Sequence, residues 1–466
     1  MKPVEKPHIG VLGFSLDLYQ ETIPDSMDIF RKQLAAFQKK VEKYADITCS
    51  TFCCTEDHVV QGITCAEKDD ADAVLIIPLS YTTSLTSLKT LLATSIPVII
   101  WNTQEAEGFG SSYDFDVLLK NHVTQGTQDI TNVLLRNKKI FGMESGHFKN
   151  DKALAELDKW LRAARTAQFS KKMKVGILGE PFPGMGDFEV DEIAMKQKWG
   201  PTIVRLSMDR FNELIGQASQ TDISDLMSDD KKIFDISDEI PEKIHSLSSK
   251  LEVGLRGMVG ENNLDAFTMN FLDLINDGRI STLPFLGINK LMGEGLGYAG
   301  EGNLVTAAHM AQIRQLCGEA NFTEIYTVDY LQNRMMMTHM QECNPALARK
   351  DRKIRLVKKD FWAPGIEPYV GMHFTLEPGQ VTLTTMTTDS NDNFFYIAYE
   401  TEIEDMEPLE YFDIPHWVVA LKEPVSEFLT RYSMTGGMHH LVAVPGHISG
   451  TIQRLAHLQG FEYKKI

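Results

Sequence analysis

From Ile9 to about Glu144, short apolar runs alternate with stretches of helical spacing. That alternation predicts an open parallel sheet covered on both faces. The predicted strands are Ile9 to Phe14, Ile47 to Phe52, Ala73 to Leu79, Pro97 to Asn102 and Lys139 to Met143. Between the first two, Phe30, Leu34, Phe37 and Val41 keep helical spacing, with Asp25 or Ser26 placed to cap the helix start. A further helix, with Leu154, Leu157, Leu161 and Ala164 on one face, leads into the polar stretch Gln168 to Lys172, where a first domain boundary is expected.

The alternation restarts at Lys174 to Gly179, with Ile203 to Leu206 and Ala266 to Phe271 as further strands and a polar, acidic stretch from Gln220 to Glu242 between them. After about Glu324 the texture changes to period-2 runs separated by turn residues. These runs are Lys353 to Val357, Val381 to Thr387, Phe394 to Glu400, Trp417 to Leu421 and Leu441 to Val444. The expected organisation is an N-terminal α/β domain over 1–172, a central α/β domain over 173–325, and a mostly antiparallel β domain over 326–466.

A chain of 466 residues exceeds what one hydrophobic core supports, which agrees with several domains. The net charge of −18, with no basic segment, argues against a nucleic-acid partner and points to a small molecule. The first apolar run is too short for a signal or membrane segment, so a cytoplasmic protein without a membrane partner is expected. Cys49, Cys53, Cys54 and Cys65 crowd together while Cys317 and Cys343 stand alone; none forms a C-x-x-C pair, and the set reads as reduced thiols.

The densest glycine cluster is Gly293 to Gly302, in which Gly295, Gly297 and Gly300 fit the spacing G-x-G-x-x-G. A dinucleotide site needs a strand before that motif and a tight turn into a helix. Here Asn289 to Gly293 read as a helix end, so no NAD is expected. The cluster reads instead as a glycine turn placing Glu301 ahead of a helix with Leu304, Ala307, Ala308 and Ala311 on one face. Three more segments set a ligand-type side chain beside core-like sequence: Phe322 to Tyr326 with Glu324, Thr338 to Met340 with His339, and Gly436 to His440. Each has a plain reading as well: a solvated charge at a helix start, a histidine satisfied by a carbonyl, and Met335 to Met337 as packing. Taken together, two Glu and two His form an oxygen and nitrogen set suited to Mn²⁺, Mg²⁺ or Co²⁺ with open positions.

These segments are where the chain resembles the L-arabinose isomerase family and the wider arabinose and fucose isomerase group. The motifs are Gly297-Tyr-Ala-Gly-Glu-Gly302 with Thr306 to Ala308, Phe322-Thr-Glu324, His339-Met340 with Cys343 and Pro345, and Gly436-Gly-Met-His-His440, in the family's order. Weaker matches are Leu18-Tyr19, Thr103-Gln104, Asn121 to Gly126 and Ala266 to Phe271. The resemblance implies two doubly wound flavodoxin-like or Rossmann-like domains, a C-terminal β-barrel, and a homohexamer with active sites between subunits. It also implies that Glu301, Glu324, His339 and His440 are the metal ligands.

On that basis the expected activity is a metal-dependent aldose–ketose isomerisation through a cis-enediolate, with Mn²⁺ as the expected metal and Glu301 and Glu324 as the catalytic pair. The expected sugar contacts are His122, Gln125, Met185, Phe271, Met340 and His439, the last also a candidate for orienting the metal ligands. Departures from the family pattern fall on sugar-facing positions: His122 and Gln125 look exchanged, Leu16 and Asp17 stand where the family has glutamine, and Asn270 replaces a small hydroxyl. The Glu324 to His339 spacing is also shorter. The rival readings are an L-fucose-type isomerase acting on another aldose, a non-catalytic sugar-binding protein and a nicotinamide-dependent oxidoreductase.

Overall fold

A computed structural model describes residues 5–111, 113–362 and 365–466. Met1 to Val4, which precede the first apolar run, lie outside the described residues. The chain divides into two compact units, Glu5–Gln168 with Gln453–Gly460 and Phe169–Ile452 with Phe461–Ile466.

The first unit is built on five parallel strands: β1 (His8–Phe14), β2 (Asp46–Cys53), β3 (Ala73–Pro78), β4 (Val98–Asn102) and β5 (Phe141–Ser145). Their order is β2-β1-β3-β4-β5. Because side chains alternate along a strand, Ile9, Val11, Leu75 and Ile77 enter one core while Leu12, Phe14, Val74 and Ile76 enter another. Helices Asp25–Val41 and Asp151–Lys172 cover the first face, and Glu56–Lys68 with Thr124–Arg136 covers the second. The helix over Asp25–Val41 buries Phe30, Leu34, Phe37 and Val41 as their spacing predicts. Neither expected cap is used, since Pro24 occupies the N-cap position and no side chain caps there.

The second unit holds three sheets. A parallel sheet joins β6 (Lys174–Leu178), β7 (Thr202–Leu206), β9 (Ala266–Met269) and β10 (Gly297–Gly300) in the order β10-β9-β6-β7. A small sheet joins β8 (Asp235–Ile236), β13 (Arg355–Lys359) and β14 (Tyr369–His373). The third, mostly antiparallel, comprises β11 (Asn321–Asp329), β12 (Arg334–Thr338), β15 (Gly379–Thr388), β16 (Phe394–Ile403), β17 (Trp417–Ala420), β18 (His440–Pro445) and β19 (Glu462–Lys465). Its order is β15-β18-β11-β12-β17-β16-β19, and β15 also pairs with β16, so the pairings of six strands return to their start.

One predicted strand is shorter than expected, and two polar stretches are helical. Gln168 to Lys172, the polar stretch of the expected boundary, is the end of the helix Asp151–Lys172. The predicted strand Ala266 to Phe271 stops at Met269, because Asn270 turns to cap the next helix, accepting the Leu272 N–H at 3.0 Å. The acidic stretch after Gln220 is a helix, Gln220–Ile233, closed by a Ser219/Asp222 capping box. Met335 and Met337 pack in the core, as their plain reading holds.

Candidate metal centre

Three of the four candidate ligands come from neighbouring strands. β11 lies between β12 and β18, with Glu324 opposite Thr338 on one side and His440 on the other. Residues directly opposite in an antiparallel pair project from the same face, so Glu324 and His440 are brought together by register alone. His339 follows Thr338 as β12 ends.

Glu301 arrives by a different route. The glycine cluster predicted as a turn contains a buried strand, β10, and the turn is made by the residues after it. A Cβ at Gly297 would stand 2.5 Å from the Ala311 Cβ and 2.6 Å from its backbone nitrogen, so glycine lets β10 lie against the helix Leu304–Cys317. A Cβ at Gly300 would meet His339 Cε1 at 3.0 Å. Glu301 at φ +64° and Gly302 at φ +77° then reverse the chain into that helix. Left-handed backbone at a residue other than glycine costs on the order of 1–3 kcal/mol and survives only where surroundings hold it. The Phe182 N–H donates to the Glu301 carbonyl at 2.9 Å, and Asn303 caps the helix by accepting the Thr306 N–H at 2.9 Å.

These elements produce two overlapping triads, Glu324/His339/His440 and Glu301/His439/His440, each with its ligand-type atoms within 4.8 Å of one another. His440 is common to both, and its Nε2 stands 3.6 Å from Glu301 Oε2. Phe322 wedges the two rings, with centroids 4.4 Å from His339 and 4.8 Å from His440. His339 Nδ1 donates to Glu342 Oε2 at 2.6 Å, so that in the neutral ring Nε2 carries the lone pair. The other Glu342 oxygen accepts the Tyr298 hydroxyl at 2.5 Å. Asn303 places its amide nitrogen 3.0 Å from His440 Nδ1, its oxygen being taken by Thr306.

The charges are unbalanced in favour of a cation. Burial raises the carboxyl pKa of Glu301 and of Glu324, and the neighbouring Glu342 carboxylate adds to both shifts against the opposing pull of His339. Burial alone would lower His339, yet Glu342, Glu324 and Glu301 carry it up to about 9. For His440 burial dominates, with His339 and His439 adding to it, and its pKa falls well below the ordinary value. His440 Nε2 is a buried polar atom without a hydrogen-bond partner among the described residues, an arrangement that costs about 1–3 kcal/mol. A cation between these groups would satisfy that nitrogen and keep both glutamates ionised; ligation through Nε2 requires the ring proton on Nδ1, and the Asn303 amide would then give up its bond to the Thr306 N–H and turn its oxygen to accept that proton. The residues present fit a divalent metal.

The expected sugar contacts fall into two sets. Met185, Phe271, Met340 and His439 lie in the same unit as the triads, whereas His122 and Gln125 belong to the other. His439 donates from its backbone and from Nδ1 to Asp187 Oδ2, at 3.2 and 2.7 Å. Met185 precedes the short turn Gly186–Phe188, and Phe188 stacks on both His439 and His440, with centroids 5.1 and 4.8 Å away. Phe271 packs 6.0 Å from Phe182, the residue bonded to Glu301. Met340 is 43% exposed at φ +41°, its sulfur accepting the Tyr326 hydroxyl. In the other unit, His122 stacks on Tyr81 at 5.7 Å and Gln125 is exposed.

Glu342, Asn303, Asp187 and Phe188 were missed in the sequence. Glu342 sits three residues after His339, and Asn303 with Thr306 carries a helix-cap spacing. Nothing local marks Asp187 or Phe188, which meet the histidine pair only through the fold.

The comparisons bear directly on this constellation. The family model of the L-arabinose isomerase central domain matches residues 183–319, and that of the L-arabinose isomerase C-terminal domain matches 319–462. The chain belongs to the L-arabinose isomerase family. The two matches together carry all four candidate ligands. Similar proteins include the L-arabinose isomerase of Nocardioides sp., 23% identical over 78% of this chain and 74% of that one. The L-arabinose isomerase of Pectobacterium carotovorum subsp. carotovorum is 22% identical over 75% and 71%, respectively, and that of Clavibacter sepedonicus 25% identical over 71% and 67%. A solute-binding protein of Agrobacterium vitis aligns at 12% identity over 67% of this chain and 90% of that one, but with a TM-score of 0.16, which carries no argument. Among the described residues no helix is long and apolar enough to cross a membrane.

Proposed function

We propose that this member of a family of aldose–ketose isomerases interconverts L-arabinose, or a related pentose or hexose, with its ketose at a divalent-metal site held by Glu301, Glu324, His339 and His440. The observation that carries the reading is the pair of triads sharing His440, whose buried Nε2 has no hydrogen-bond partner among the described residues. Mn²⁺ is the metal proposed, and when bound it supplies Lewis-acid polarisation of the sugar carbonyl.

The residues do the rest. Glu301 and Glu324 serve as the acid–base pair: one takes the proton from C2 and a proton returns at C1 by way of the enediol, while the other handles the hydroxyl proton. Burial raises both carboxyl pKa values in the metal-free chain, and the bound cation would keep both groups ionised and available as bases. Glu342 holds His339 in one tautomer and orientation, and Asn303 orients His440. Met185, Phe271, Met340 and His439 are proposed to line the sugar, with His122 and Gln125 contributed from another subunit of a homohexamer in the cytoplasm. At the level of the fold, the proposal includes flavodoxin-like or Rossmann-like N-terminal and central domains. The ring of pairings in the third sheet supports a β-barrel for the C-terminal part.

The test is to strip the protein with chelator and assay a panel of aldopentoses and aldohexoses for ketose, with and without Mn²⁺. Metal-restored ketose formation from one sugar supports the reading and names the substrate. No ketose from any sugar, with metal bound to a folded protein, contradicts it.

A further inference from the structure

A second cluster of ligand-type groups lies in the first unit, outside the centre described above. Cys49 is on β2, the edge strand of the parallel sheet, in register with Gly10 of β1. The helix Glu56–Lys68 packs on that face so closely that a Cβ at Gly10 would be 2.8 Å from the Ala66 Cβ and 3.2 Å from Cys49 Sγ. Cys65 and Asp69 stand four residues apart at the end of that helix and therefore share one side of it. Asp69 is the C-cap, its N–H donating to the Cys65 carbonyl at 3.0 Å, and its Oδ2 lies 3.9 Å from Cys65 Sγ. The Cys49 sulfur, the Cys65 sulfur and a carboxylate oxygen of Asp69 all lie within 4.8 Å of one another.

We infer that Cys49, Cys65 and Asp69 form a binding site for one soft divalent cation of the zinc or cadmium class. Sulfur ligands at about 2.3 Å and oxygen at about 2.1 Å from a tetrahedral zinc stand roughly 3.6–3.8 Å from one another, so the Cys65 to Asp69 distance already matches a coordination edge. Thiolate donors select such ions over Mn²⁺ or Mg²⁺. Both cysteines are half-buried and Asp69 is exposed, which leaves a solvent-side position for a water as fourth ligand. Burial first, and Cys65 second, push the Cys49 thiol up to about 12, so the ion-free site keeps its proton and cation uptake releases it. A bound ion would tie the edge strand to its helix.

The test is a titration of the full chain, reduced and stripped with chelator, with Cd²⁺. The expected result is a thiolate-to-cadmium ultraviolet absorption band that saturates at one ion per chain. The band should persist in Glu301→Gln and in Cys317→Ser, since the Glu and His cluster contains no sulfur. It should vanish in Cys49→Ser and in Cys65→Ser, and its affinity should weaken by about tenfold or more in Asp69→Asn, with circular dichroism unchanged in all three. No band in the wild-type chain, or an undiminished band in both cysteine variants, overturns the inference.

Discussion

Glu324 and His440 stand directly opposite each other in the antiparallel pair of β11 and β18. A one-residue slip of either strand would send one of the two side chains to the other face, so the register that fills the hydrophobic core also sets the distance between two candidate ligands. Phe322, fully buried two residues before Glu324, locks that register by packing its ring against both His339 and His440.

If Glu301 and Glu324 move the protons, replacing either by Gln removes the base while keeping the shape. Glu301→Gln and Glu324→Gln should each lower turnover by on the order of 10² to 10⁴ or more, with unchanged circular dichroism. Steady-state ketose formation measures this, and near-normal turnover in both variants would remove the pair from the mechanism.

Glu342 touches no expected ligand atom facing the cation but holds the far nitrogen of His339. Glu342→Gln should therefore weaken metal binding by about 10- to 100-fold while the folded chain persists. Calorimetric titration with Mn²⁺ reads the affinity; equal affinities for the two proteins would assign Glu342 a purely structural part.

Gly297 permits the close approach of β10 to the helix that begins just after Glu301. In Gly297→Ala the new methyl group meets the backbone nitrogen of Ala311, and the expected loss is about 1–3 kcal/mol, seen as a lower thermal or denaturant midpoint. An unchanged midpoint would mean that β10 and the helix separate at no cost.

His309, fully buried with Nε2 3.3 Å from Thr384 Oγ1, has its pKa lowered by burial to about 3. The unfolded chain takes up this proton near pH 6.5 and the folded one does not. Stability from this group is thus complete above about pH 6.5 and declines as pH falls towards 3, with a slope of up to about 1.4 kcal/mol per pH unit. Denaturant midpoints measured between pH 7 and 4 should fall less steeply in His309→Leu than in the parent.

Much of this was legible in the sequence, for physical reasons. Strands buried on both faces, such as Ala73–Pro78, appear as continuous apolar runs, and the helix Asp25–Val41 shows its 3.6-residue period. The glycine strand Gly297–Gly300 was not legible, because close packing against a helix selects small residues that mimic a turn. The four candidate ligands could be picked out because each stands beside core-like sequence in a recognisable motif. Asp187 and Phe188 could not, since their relation to His439 and His440 exists only after β6 and β18 have folded. Glu342 carries no local mark beyond its place three residues after a histidine.

The proposed mechanism requires one divalent ion held by Glu301, Glu324, His339 and His440, and His440 is common to both triads. The most direct measurement is the number of Mn²⁺ ions bound per chain, by electron paramagnetic resonance after chelator treatment, in the parent and in His440→Leu. One tightly bound ion is expected in the parent and none in the variant, with both chains folded. Full Mn²⁺ occupancy in folded His440→Leu would contradict it.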